Sequence, residues 1–271
     1  MTRHPICLTC GTQFPATARD PERCPICTDE RQYVNPAGQQ WTTLEALRTD
    51  HRIDIAEETP GLWGVGVQPS FAIGQRALLV PGEGGTVMWD CLSYIDDAAV
   101  DRVAELGGIA AIAISHPHYY ASMVEWSKAF GDVPIYIHEA DRQWVRRKEN
   151  VEYWGGTTRE ILPGRTLINT GVHFAGSAVL HWAQGAGGAG VLCSGDIVYV
   201  TPDPRWVSFM YSYPILIPEH PDTVRRLAAT LAPWRFERVY GAWWGRVVPA
   251  EGNAVVQRSA QRYLAHLGDT G

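Results

Sequence analysis

The chain has 271 residues and a mass of 30.0 kDa, with 45% hydrophobic, 10% aromatic and 19% charged residues; a chain of this mass buries roughly 32,000 Å² on folding, about 73% of its unfolded surface, enough for one large domain and a small appendage, and the composition excludes disorder. The net charge is −6, and of 23 basic residues only Lys128 and Lys148 are lysines, so a broad electrostatic footprint for phosphate backbones is missing and nucleic acid is not an expected partner. No stretch approaches the ~20 apolar residues of a membrane span, and the start, Met1 to Cys7, lacks the apolar run of a secretory signal, from which a cytoplasmic location is expected.

Residues 1–36 hold Cys7-Leu-Thr-Cys10 and Cys24-Pro-Ile-Cys27, separated by 13 residues, with several prolines and little apolar mass. Such a segment cannot pack a core by itself. In a reducing compartment paired Cys-x-x-Cys units read as metal ligands or redox centres rather than structural disulfides, and four thiolates around one zinc ion would supply on the order of 10 kcal/mol. A small zinc-ribbon appendage is therefore expected over 1–36, with iron as the alternative metal. Its use would be to hold a fold or to meet a protein partner.

A linker over 37–60 with a short helix at about 41–50 follows, and the main domain is expected over 61–271. Strands are predicted at Leu62 to Val67, Phe71 to Ile73, Ala77 to Val80 and Thr86 to Asp90, a helix over Asp96 to Leu106, and a fully buried strand over Ile109 to Ile114. Helices are predicted at about 119–130 and 139–148, around a strand from Pro134 to Ile137. The run Arg142, Arg146, Arg147 and Lys148 reads as a solvated helix face. Further strands are predicted at Arg159 to Leu162, Thr166 to Asn169, Ser177 to Trp182 and Gly190 to Cys193, with a flexible loop over 185–190. The last elements are helices at about 221–231 and 251–267 and a strand at Glu237 to Tyr240. Strands and helices thus come in two rounds, which predicts an α/β fold of two packed sheets with helices outside, four layers in all.

Chemistry concentrates at strand ends. In His116-Pro117-His118 the two histidines are two apart, and the proline biases His116 to an extended backbone, so both imidazoles can point to one side. His173 lies in a Gly-bounded loop ahead of a strand, and Asp196 follows Cys193-Ser-Gly195 after another buried strand. Sites on α/β scaffolds are built at such ends. His138, His181 and His220 read as core or surface residues, and Cys91 and Cys193 as small apolar residues inside strands.

With these residues in this order the chain resembles the metallo-β-lactamase-fold superfamily over roughly residues 60–265. The family signature His-x-His-x-Asp-His is met by His116 and His118, the next ligand by His173, the bridging carboxylate by Asp196, and a supporting position by Asp90. Where the family has Asp-His the chain has Tyr120-Ala121, and the late loop offers Trp243 or Trp244 in place of a histidine, so every ligand specific to a second metal is missing. The resemblance implies a four-layer αββα fold and one metal, zinc suiting imidazole ligands, held by His116, His118 and His173 with Asp196 as fourth ligand or beside an open position.

With an open position, such a site would activate water on an ester, lactone, thioester or amide. Asp196 would be the general base, and Tyr120, or its neighbour Tyr119, a donor toward a developing oxyanion. β-Lactam hydrolysis is not expected, because the family's β-lactam enzymes are mostly exported. A degenerate member that binds a partner through the ribbon, or as a second copy of the chain, is the alternative. A rubredoxin-like redox role is the third reading, from Gly11 after the first Cys pair and Pro25 within the second.

Overall fold

The computed structural model describes residues 2–268; Met1 and 269–271, at the ends of the expected segments 1–36 and 61–271, lie outside the described residues. Two sheets form the body. The first has seven strands in chain order, Arg52–Thr59, Leu62–Gln68, Ala77–Val80, Val87–Trp89, Ala111–Ala113, Ile135–His138 and Val151–Trp154, the first four antiparallel and the rest joined in parallel. The second has six strands, Thr158–Leu162, Arg165–Asn169, Ala178–Trp182, Val191–Gly195, Arg238–Gly241 and Val247–Val248, with one parallel pairing, Val191–Gly195 on Arg238–Gly241. Parallel neighbours need crossovers. In the first sheet these pass through the helices Asp97–Glu105 and Met123–Ala129 and the 3-10 helix Glu139–Trp144, and in the second through Pro221–Leu231.

Period-two alternation along the strands sorts the side chains into layers. Leu78, Val80, Val87, Trp89 and Ala113 of the first sheet meet Leu167, Leu180, Trp182, Val191, Cys193 and Tyr240 of the second in one inter-sheet core. Their sequence neighbours point the other way. Ala77, Leu79, Met88 and Ile112 pack against Ala99, Val103, Val124 and Trp126 from helices, while Ile168, Val179, Leu192 and Val239 pack against Val224, Leu227, Leu231, Val255 and Val256. Helices, sheet, sheet and helices give the four layers expected from the sequence.

Local expectations changed in five places. The segment 37–60 holds the helix Leu44–Leu47, capped by Thr43, but also the edge strand Arg52–Thr59, whose Ile53 and Ile55 face the core between polar neighbours. Phe71 to Ile73 is a turn closed by Gly74 N–H donating to Phe71 O at 3.0 Å, and Ile73 packs against the cysteine cluster instead. The region 119–130 splits into a 3-10 turn, Pro117–Tyr119, and the helix Met123–Ala129, interrupted at Ala121 with φ 47°. The region 139–148 is 3-10 helix only over Glu139–Trp144, and Arg147 is buried, bonded to Gln13 and Glu125 rather than solvated. The loop over 185–190 is a tight turn in which Ala186 and Gly187 have left-handed backbones, φ 50° and 66°. Among the described residues no helix is long and apolar enough to cross a membrane.

Residues before the first sheet form a small unit around Cys7, Cys10, Cys24 and Cys27 with Phe14 and Ile26, and this unit sits on Ile73 and Trp144 of the body. Its two short strands, Ile6–Cys7 and Trp41–Thr42, pair antiparallel.

Candidate metal centre

The four cysteines converge. Cys7 and Cys27 Sγ are 3.6 Å apart and Cys10 and Cys24 Sγ 3.7 Å apart, without disulfides. A tetrahedral ion ~2.3 Å from each sulfur sets the sulfurs about 3.8 Å apart, so the cluster fits zinc or iron. Gln39 reinforces the knuckle by donating from Nε2 to Cys7 Sγ at 3.2 Å and accepting from Cys24 N–H at 3.0 Å. Gly11 has φ +77°, and a Cβ there would meet Ser93 Oγ at 2.0 Å, so glycine is required where the first knuckle touches the body.

The second cluster lies at one edge of the inter-sheet core, at the ends of Val87–Trp89, Ala111–Ala113 and Val191–Gly195. One ligand atom from each of His116, His118 and His173 lies within 4.8 Å of the others, and all three residues are buried. His173 Nδ1 is 2.6 Å from Tyr211 O. A carbonyl only accepts, so Nδ1 carries the proton and Nε2 keeps its lone pair. That Nε2 faces His118 Nδ1 at 3.0 Å, a separation that needs a shared proton or a cation between the two nitrogens. His116 Nδ1 lies 2.9 Å from Ser115 Oγ, while its Nε2 is buried with no hydrogen-bond partner. Burial, the largest influence, lowers His116 and His118 well below the usual imidazole range and His173 to about 4. Neutral imidazoles are the form that binds metal, so the donor set fits one zinc-like ion.

Asp196 stands beside this triangle. Its Oδ1 lies 3.4 Å from His116 Nε2 and has no hydrogen-bond partner, and burial pushes its carboxyl up to about 7. Gly195, φ +56°, lets the chain turn there; a Cβ would lie 2.9 Å from Ser115 Oγ and 3.1 Å from Asp90 Oδ2. Asp90 in turn accepts from Ser115 N–H at 2.8 Å and so fixes the start of the His116 turn. Asp90, Ala121 and His173, all non-glycine, have φ of 61°, 47° and 70°. Such conformations persist only where the surroundings enforce them, and they collect at functional sites.

The two adjacent tyrosines part company. Tyr119 packs tilted against His116, ring centroids 4.4 Å apart and planes 58° apart, and its hydroxyl feels Asp196 first among charged groups. Tyr120, the expected donor, is equally buried, but its electrostatic neighbours are Asp141, Tyr153 and Arg146. It belongs to the packing behind the site, because the turn over Pro117–Tyr119 sends successive side chains to different faces. Trp244 lies over Gly64 and Gly66, where a Cβ would approach its ring to 2.5 and 2.8 Å, and Trp243 packs near Tyr199. Neither offers a ligand atom, and with Tyr120 and Ala121 at the other family positions no further group of donors assembles beside the three histidines among the described residues.

Sequence reasoning missed Arg31, Glu219, Tyr211 and Tyr213. Glu219 Oε2 accepts from His173 N–H at 2.9 Å, Arg31 donates to His173 O at 3.1 Å, and Tyr213 donates to Asp196 O at 2.7 Å. None forms a motif with the histidines along the chain. The nearest surface groove, about 410 Å³, runs past His173 between Arg31, Phe174, Tyr211 and Glu219.

No family model matches the chain. The uncharacterized protein YmaE of Bacillus subtilis (strain 168) is 48% identical over 265 residues, 97% of this chain and 96% of its own length. The chain belongs to the family of YmaE. Its body has the metallo-β-lactamase fold: it superposes on the DIM-1 metallo-β-lactamase with a TM-score of 0.59 at 12% identity, covering 79% of this chain and 98% of that one. The FIM-1 metallo-β-lactamase from Pseudomonas aeruginosa, in its mono-zinc form, gives 0.56 at 11% identity over 78% and 95%. The expected fold and the resemblance are borne out, together with the four-cysteine knuckle and the histidine cluster in that fold.

Proposed function

We propose that this member of the YmaE family is a cytoplasmic metal-dependent hydrolase, with one zinc ion held by His116, His118 and His173 and a second in the cysteine knuckle. The observation that carries the reading is the convergence of three buried imidazoles: His173 Nε2, left unprotonated because Nδ1 meets Tyr211 O, stands opposite His118 Nδ1, and His116 Nε2 has no hydrogen-bond partner. A protein of the same fold in a mono-zinc form supports a single-ion centre. Bound there, zinc would supply Lewis acidity toward a carbonyl oxygen and toward water.

The chain's own residues complete the chemistry. Asp196, unpartnered at Oδ1 and 3.4 Å from His116 Nε2, accepts the proton of the attacking water and returns it to the leaving group. Tyr119, rather than Tyr120, stands at Asp196, and its free buried hydroxyl can orient that carboxylate. Tyr213 holds the Asp196 backbone by donating to its carbonyl oxygen. Esters, lactones, thioesters and amides are the substrate class, because each presents a carbonyl that such a centre can polarise.

Turnover across a panel of esters, lactones and thioesters is expected to disappear on chelation and to return on adding zinc. A second reading is favoured by burial: His116, His118 and His173 are only 1, 3 and 3% exposed, as in a centre that merely holds the fold for partner binding. Two bound ions with no turnover of any substrate in the panel would select that reading.

A further inference from the structure

We propose that the cysteine knuckle is a positioning element for the histidine centre and that Arg31 is the residue through which it holds His173. The proposal rests on the metal-binding reading of both clusters and adds a link between them. Arg31 lies four residues beyond Cys27. It is locked in place by Asp29, which accepts from Arg31 N–H at 3.0 Å, from Nε at 2.6 Å and from Nη2 at 2.9 Å. The guanidinium lies 3.9 Å over the ring of Phe174 and 5.5 Å from that of Trp144, and Nη1 donates to His173 O.

Asp29 neutralises the guanidinium, so what reaches His173 is a directed hydrogen bond rather than a free charge. His173 needs such a restraint. Its backbone is left-handed at φ 70°, its N–H is held by Glu219 and its ring by Tyr211 O. The bond from Arg31 fixes the remaining backbone group.

The same segment also fastens the residues that hold the imidazole ring. Ser212 Oγ donates to Arg31 O at 3.0 Å, and the Tyr211 hydroxyl donates to Glu30. At the other end of the knuckle, three residues beyond Cys10, Gln13 N–H donates to Ala121 O at 3.0 Å, directly after the turn that carries His116 and His118. Gln13 Oε1 accepts from Arg147. The knuckle therefore touches both ligand-bearing loops, and each touching residue is within four positions of a cysteine ligand. An ion on the thiolates fixes those cysteines and through them the two contacts. Residues that orient metal ligands from outside typically change affinity ten- to a hundred-fold when replaced.

The test is a cobalt(II) titration of the full chain and of the Arg31→Met and Arg31→Lys variants, each stripped of metal under reducing conditions. The cysteine site reports through intense thiolate-to-cobalt charge transfer, and the histidine centre through weaker visible bands. Arg31→Met keeps the apolar stack on Phe174. It is expected to leave the charge-transfer amplitude at one ion per chain while weakening cobalt binding at the histidine centre ten-fold or more, with part of the loss recovered in Arg31→Lys. Unchanged affinity at the histidine centre in Arg31→Met overturns the proposal, as does loss of the charge-transfer band in that variant, which would mean collapse of the knuckle. A wild-type chain that shows only the thiolate band overturns the histidine metal centre itself, and the link with it.

Discussion

Asp196→Asn is expected to lower turnover on the best substrate of an ester and lactone panel by about two to four orders of magnitude, the usual contribution of a positioned general base, while leaving the metal content unchanged. Asparagine has the shape of aspartate but cannot take a proton. The position is set by its neighbours: Gly195 turns the chain, Tyr213 holds the backbone carbonyl, and Oδ1 stays without a partner 3.4 Å from His116 Nε2. The three imidazoles form the compact donor set. The paired measurement is kcat and zinc per chain. A loss of turnover below ten-fold removes Asp196 as the base, and loss of one zinc would make it the fourth ligand instead.

Cys24→Ser should empty and unfold the knuckle and, through the lost contacts of Arg31 and Gln13, weaken metal binding at the histidine centre. Besides its cysteines the unit buries Phe14, Ile26 and Ile6, each contributing about 1.5–3 kcal/mol on burial. A four-thiolate zinc contributes on the order of 10 kcal/mol or more at neutral pH, and serine is a poor replacement for the thiolate. The remaining apolar mass cannot compensate. The two sheets keep their own three cores, so far-UV circular dichroism should change little, while limited proteolysis should cut within the first 40 residues. A protected N-terminus in Cys24→Ser would show that the unit folds without its ion.

Much of this architecture can be read along the chain, and the reasons are local. Ala77–Val80 and Val191–Gly195 are short apolar runs bounded by turn residues, and His116-Pro117-His118 carries its geometry in three positions. The edge strand Arg52–Thr59 is harder to see because it is exposed on one face and polar at alternate positions. Val151–Trp154, at the opposite edge, hides for the same reason. Tyr119 and Tyr120 illustrate a different limit. They are adjacent and chemically identical, and a single turn of 3-10 backbone decides which one meets Asp196. Arg31 lies 142 positions from His173, so nothing in local pattern connects them.

Elemental analysis of the full chain beside a His116→Ala/His118→Ala variant, both purified without added metal or chelator, tests the central claim most directly. The full chain should hold two zinc ions and the variant one. Equal metal content in the two proteins, confined to the cysteine knuckle, would contradict a metal centre at the histidines.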